Sequence, residues 1–142
     1  MISKPKGQFQ IFLKLPFYYY DFMAEHNDFG SMGEALAQEH LQKNGYEILE
    51  TNWHCGHNEV DIIAKKDDTL VFVEVKTRKT SAFGEPQLFV TKEKQRSYIF
   101  MANNYVQRYN RNEEVRFDII AILMNNSQTE ITHIEGAFST IM

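Results

Sequence analysis

The sequence predicts an α/β domain, a central mixed β-sheet flanked by helices. Three observations predict it. The chain has 142 residues, 43% hydrophobic and 24% charged, which suits one soluble domain with one sizeable core. Helical periodicity occurs twice, around residues 31–44 and 92–107, and strand-like patterning fills the stretches between and after. The resulting order, α-β-β-β-α-β-β, contains no repeat and no low-complexity segment, so a single layered domain accounts for it.

The elements follow in chain order. Residues 1–22 form an extension in which Ile11-Phe12-Leu13 is interrupted by Lys14 and Pro16, with no small-residue cleavage site after it. A poorly ordered or loosely docked extension without function is expected there, with residues 23–142 as the domain and Met23 a candidate natural start. Ser31 with Glu34 has the spacing of a capping box, Ala35, Leu36, Ala37 and Leu41 form an apolar stripe, and Gly45 closes the helix. Strands are predicted over Tyr46–Trp53, Glu59–Lys65 and Leu70–Thr77. After a loop through Gly84 and Pro86, the second helix is predicted over Lys92–Gln107, with Ile99, Ala102 and Val106 on one side. Val115–Met124 and Ile131–Phe138 read as strands separated by the turn chemistry of Asn125-Asn126-Ser127.

Charge narrows the partners. The net charge is −4, but residues 76–116 hold nine Lys/Arg against four Asp/Glu. That basic third keeps a nucleic-acid partner open in a chain whose overall charge argues mildly against one. No apolar run approaches the roughly 20 residues of a bilayer span, so no membrane partner is expected. The lone Cys55 forms no internal disulfide and, with the missing targeting signal, points to the cytoplasm.

The chemistry concentrates in residues 58–78. A turn centred between Asp67 and Asp68 sets Asp61 opposite Glu74 and Glu59 opposite Lys76. Val60, Ile62, Ala64, Val71, Val73 and Val75 then share one apolar face, and Glu59, Asp61, Ile63, Phe72, Glu74 and Lys76 share the other. Like charges directly across a strand pair destabilise it, and a cation between Asp61 and Glu74 removes that repulsion. Two carboxylates and a backbone carbonyl, from Val75, make the hard-oxygen set that Mg²⁺ or Mn²⁺ takes, completed by water and phosphate. Lys76 projects to the same side, where it can orient a water or stabilise charge on a phosphate. The plainer alternative is a cross-strand Glu59–Lys76 ion pair with Asp61 and Glu74 on a solvated face; an odd-length loop would also shift the register.

Asp61 followed by Glu74-Val75-Lys76 resembles the D…(D/E)-x-K signature of the restriction-endonuclease-like nuclease superfamily. The surrounding text resembles the YraN-like uncharacterised family from about Gly30 to Phe138: Gly33-Glu34-Ala35, Gly45-Tyr46, Asn52-Trp53, Glu59 to Ala64, Val71 to Arg78, Val90-Thr91 with Lys94, Arg116-Phe117-Asp118, and His133-Ile134-Glu135 with Ala137-Phe138. Asn58 stands where that family commonly has glycine. The family is similar to archaeal Holliday-junction resolvases. The resemblance implies a restriction-endonuclease-like fold, with Asp61 and Glu74 as metal ligands, Lys76 as catalytic lysine and Glu34 as an acidic residue facing the same site.

Other signals are weaker. His54, Cys55 and His57 are too crowded to wrap a tetrahedral ion and read as loop residues, with His57 near enough to touch a phosphate. Arg78, Lys79, Lys92, Lys94, Arg96 and Arg116 are the candidate phosphate contacts, with Lys94 placed nearest the scissile bond. Phe83, Phe89 and Tyr98 are available for base stacking, although core packing is the commoner fate of such rings. Two main readings result: a Mg²⁺- or Mn²⁺-dependent endonuclease-like protein acting on structured or branched DNA, and a non-catalytic nucleic-acid-binding module of the same fold. A structural or protein-interaction domain, with the basic third as solubilising charge, is a third. A homodimer would suit a two-fold junction.

Overall fold

A computed structural model describes residues 8–13, 29–80, 84 and 90–139. Its strands are β1 (Gln8–Leu13), β2 (Glu47–Cys55), β3 (Asn58–Lys66), β4 (Thr69–Arg78), β5 (Glu114–Met124) and β6 (Thr129–Phe138); its helices are α1 (Phe29–Lys43) and α2 (Lys92–Arg108). They form a mixed sheet of order β1-β6-β5-β4-β3-β2, in which only β4 and β5 run parallel. The expected central mixed sheet with flanking helices is present. The sequence reading assigned no strand before the first helix, yet Gln8–Leu13 pairs antiparallel with β6. No helix among the described residues is long and apolar enough to cross a membrane.

Each helix covers one sheet face. On α1, Met32, Leu36, Ala37 and Leu41 pack with Ile62, Ala64, Val71, Val73, Ile120, Ile122 and Met124. The helix begins at Phe29, so Ser31 lies within it and is not the N-cap; Phe29 packs against this core and draws the first turn upstream. Its C-terminus follows the expectation. Tyr46 N–H donates to Leu41 C=O and Gly45 N–H to Gln42 C=O, with Gly45 at φ +86°, a reversal that only glycine makes without strain. Gly33 lets α1 lie directly on β4, because a methyl group there would collide with the Thr77 side chain.

On the other face, α2 is capped by Thr91, whose Oγ1 accepts from Lys94 N–H at 3.1 Å. The buried stripe is Tyr98, Met101, Ala102 and Tyr105, rotated from the expected one so that Ile99 and Val106 fall at its margin. The rotation turns two tyrosine rings into the aromatic layer, where Tyr105 meets Trp53 and Phe72 edge-on.

The β3–β4 hairpin has the predicted register, Lys66↔Thr69 through Ile62↔Val73. The ladder ends there, one pair before Asp61 and Glu74. On the other side of β3, Thr51 pairs with Ile62 and Trp53 with Val60, and the intervening Asn52 has φ +49°. The local kink reverses the alternation. Val60, expected to share a face with Ile62, packs instead with Trp53 and Phe72 on the α2 side. Neither face is solvated as a whole, because Ile63 and Phe72 are fully buried beneath α2. His54 and Cys55 belong to β2, closed by the Gly56-His57 turn, and are not loop residues.

Candidate metal and nucleic-acid site

The splay of β3 from β4 creates the site. Freed from ladder pairing, Asp61 turns its Oδ2 onto the backbone N–H of Val75 at 2.8 Å. Glu74 points from β4 towards α2 and is only 4% exposed. One of its oxygens, Oε2, accepts from the hydroxyl of Tyr98, which also lies 3.4 Å from the Val73 carbonyl. The other, Oε1, faces two ammonium groups, Lys76 Nζ at 3.4 Å and Lys94 Nζ at 3.6 Å. Lys94 reaches it because the Thr91 cap sets the first turn of α2 beside the end of β4.

Electrostatics mark Asp61 as the uncomfortable member. Burial and the neighbouring Glu74 raise its pKa to about 7, and Glu34 on α1 adds to the repulsion. Burial and Glu74 likewise keep the Tyr98 hydroxyl protonated far above its ordinary range, so it is a donor. The donor set fits a hard divalent cation, since the oxygens of Asp61 and Glu74 come with a repulsion that such a cation relieves. No group of three or more His, Cys, Asp or Glu side chains converges as a metal cage among the described residues. The fit therefore depends on carbonyl and water oxygens for its remaining ligands, which is the habit of Mg²⁺.

The structure thus brings together Asp61, Glu74, Lys76 and Lys94, with Glu34 within electrostatic reach. Lys92 and Arg96 lie exposed on the same helix as Lys94. Arg78 donates to the Gly84 carbonyl, and Lys79 sits over the Phe29 ring. Tyr98 is fully buried and cannot stack on a base, whereas Phe83 and Phe89 lie outside the described residues. Phe100 projects instead from α2, 54% exposed.

Arg116 is elsewhere. It packs on the α1 face, where its guanidinium grips Asp118 with two hydrogen bonds of 2.9 Å and donates to the Tyr46 hydroxyl at 2.6 Å. Asp118 also accepts from Gly136 N–H at 3.0 Å and from His133 Nε2 at 2.7 Å. His133 Nδ1 meets His40 Nε2 at 3.0 Å. The room for this network comes from an irregularity in β6, where the pairing with β5 shifts between Phe117 and Ile119 and Gly136 has φ +60°.

Sequence reasoning missed the hydrogen bond from Tyr98 to Glu74 and this network. A tyrosine on the apolar stripe of a helix reads as core, and nothing in the local pattern tells where its hydroxyl ends.

The model of uncharacterised protein family UPF0102 matches residues 33–122, which spans α1 through most of β5 and therefore every residue of the candidate site. The chain belongs to this family. Among its relatives, the UPF0102 protein of Christiangramia forsetii is 50% identical over 116 residues, covering 82% of this chain and 98% of the relative. A UPF0102 protein of Flavobacterium psychrophilum matches equally, and one of Phocaeicola vulgatus is 44% identical, with 82% and 96% covered.

Proposed function

We propose that this UPF0102 protein is a metal-dependent nuclease-like protein that hydrolyses phosphodiester bonds in nucleic acid, with structured or branched DNA as the expected substrate. One observation carries the reading: two buried or half-buried carboxylates, Asp61 and Glu74, are forced together where a strand pair splays, with Lys76 and Lys94 at the same oxygen. Glu34 is the third acidic group near Asp61. A site built for stability alone would not oppose two acids and then bury one of them.

In this reading Asp61, Glu74 and the Val75 carbonyl hold Mg²⁺ or Mn²⁺. The bound ion supplies Lewis-acid polarisation of the phosphate and relief of its developing charge. Lys76 orients the attacking water through its ammonium group. The water oxygen bonds to phosphorus and gives up a proton to solvent as the bond to the leaving oxygen breaks, and solvent returns a proton to that oxygen. Lys94 holds the phosphate from α2, and Lys92, Arg96, Arg78 and Lys79 supply sequence-independent contacts to the backbone.

A second reading has its own support. Lys76 and Lys94 neutralise Glu74 without any metal, so the fold also suits a binding module that does not turn over. A cleavage assay separates the two. Wild type and Lys76→Ala are incubated with Mn²⁺ and labelled four-way junction, flap, duplex and single strand. Cleavage by wild type alone establishes the nuclease. Salt-sensitive binding without cleavage in either protein selects the binding module, and absence of binding at low salt removes both.

A further inference from the structure

Tyr98 is the feature of the site that the proposed chemistry leaves unused. Its side chain is completely buried, its ring stands edge-on to Phe138 at 6.1 Å, and its hydroxyl is committed to Glu74 Oε2. The three groups on Glu74 are therefore unequal. Lys76 and Lys94 sit on long, partly exposed stems and can leave Oε1 when a cation arrives; the Tyr98 hydroxyl is locked in the core and cannot leave Oε2. Asp61 is restrained in the same way, with Oδ2 held by a backbone N–H that also stays in place. Each carboxylate thus keeps one oxygen outside these core-side hydrogen bonds, Oε1 of Glu74 and Oδ1 of Asp61.

We propose that Tyr98 is the positioning residue of this carboxylate pair. By holding Oε2 to the core it orients Glu74 so that Oε1 is the oxygen presented to the site, and so favours one divalent cation over a bridged pair. A closely spaced ion pair is usually shared by a carboxylate that gives one oxygen to each ion, and here one oxygen of each carboxylate is engaged on the core side instead. Outer hydrogen bonds that orient ligands typically govern metal affinity by 10- to 100-fold. The inference rests on the metal-dependent reading above and goes beyond it in number of ions and in residue.

The test is calorimetric titration of the full chain with Mn²⁺, with no substrate present, for wild type, Asp61→Asn, Tyr98→Phe and Tyr105→Phe. Wild type is expected to bind one ion per chain, lost in Asp61→Asn. Tyr98→Phe keeps the ring and loses only the hydroxyl, and is expected to bind about tenfold more weakly or worse. Tyr105, another buried tyrosine of α2, controls for a general effect of removing a core hydroxyl, and its variant should bind as wild type does. Two Asp61-dependent ions in wild type, a result that needs no variant of Tyr98 to fold, would overturn the inference while leaving the metal site standing. Wild-type affinity in Tyr98→Phe, or an equal loss in Tyr105→Phe, would overturn the role of Tyr98. No binding by wild type removes the metal-dependent reading itself, and this inference with it.

Discussion

Two aspartates, one on each side of the sheet, the first wholly buried and the second partly so, titrate in opposite directions. Asp118 is fully buried, and although burial alone would raise its pKa, hydrogen bonds from His133 and Arg116 hold it below the usual carboxylate range. Asp61 receives one backbone N–H, sees Glu74 as its nearest charge, and rises to about 7. Burial is common to both, so the partners decide the sign. The α1 face has satisfied its acid from within the fold. The α2 face leaves its acid with one backbone N–H and a like charge beside it, a repulsion that the proposed cation would relieve.

The comparison breaks first at Asp118. Asp118→Ala takes the two-pronged acceptor from Arg116 and the carboxylate partner from His133, leaving Arg116 with the Tyr46 hydroxyl and the more distant Glu135, and should lose about 3–5 kcal/mol in urea unfolding. A loss below about 1 kcal/mol would mean that the network contributes little to stability. Asp61→Asn should do the reverse. The folded pKa of Asp61 lies above the unfolded value of 3.8, so the folded state binds more protons and stability drains away as pH rises from about 4 to 7. The amide still accepts from Val75 N–H but removes the charge. The variant should therefore gain about 1–2 kcal/mol at pH 8 in chelator and nothing at pH 3, while losing Mn²⁺ binding. Thermal melts across that range, with an unchanged or lower stability at pH 8, would refute the frustrated-site picture.

His40 sharpens the other side. Burial, helped by His133, pushes its pKa down to about 4 from 6.5, so the unfolded state binds more protons between those values. Stability should fall by about 1 kcal/mol as pH drops through that window, and His40→Gln should flatten the profile there. The smallest effects separate the basic residues of the two faces. Under the nucleic-acid reading, Lys92→Ala and Arg96→Ala should each reduce the salt slope of DNA binding by about one, measured by fluorescence anisotropy. Arg116→Lys should leave that slope alone and lower the melting temperature, because a lysine cannot reproduce the two-pronged grip on Asp118.

Much of this was legible in the residues. The hairpin register followed from one turn, Asp67-Asp68, because paired strands count residues in lockstep on either side of it. The helix stop at Gly45 followed from backbone chemistry. Asp61, Glu74 and Lys76 follow from hairpin spacing, and Lys94 is the one of six candidate phosphate contacts placed nearest the scissile bond. What was not legible depends on tertiary geometry. The β2–β3 ladder skips Asn52 and Asp61, and Asn52 has φ +49°, so alternation alone puts Val60 on the wrong face. Arg116 was read as a phosphate contact because its partners, Tyr46 and Glu135, lie 70 and 19 residues away, while Asp118, two residues on, reads as the next outward group on a strand.

The strand Gln8–Leu13 has a consequence of a different kind. It is paired along its length to β6, residue for residue from Gln8↔Ile134 to Leu13↔Thr129. It thereby covers a row of backbone donors and acceptors that would otherwise form the rim of the sheet. A shortened protein beginning at Met23 would bare that rim, and a bare rim invites a strand from another molecule. Self-association that appears in such a truncated form and not in the longer chain would be traced to this bared rim.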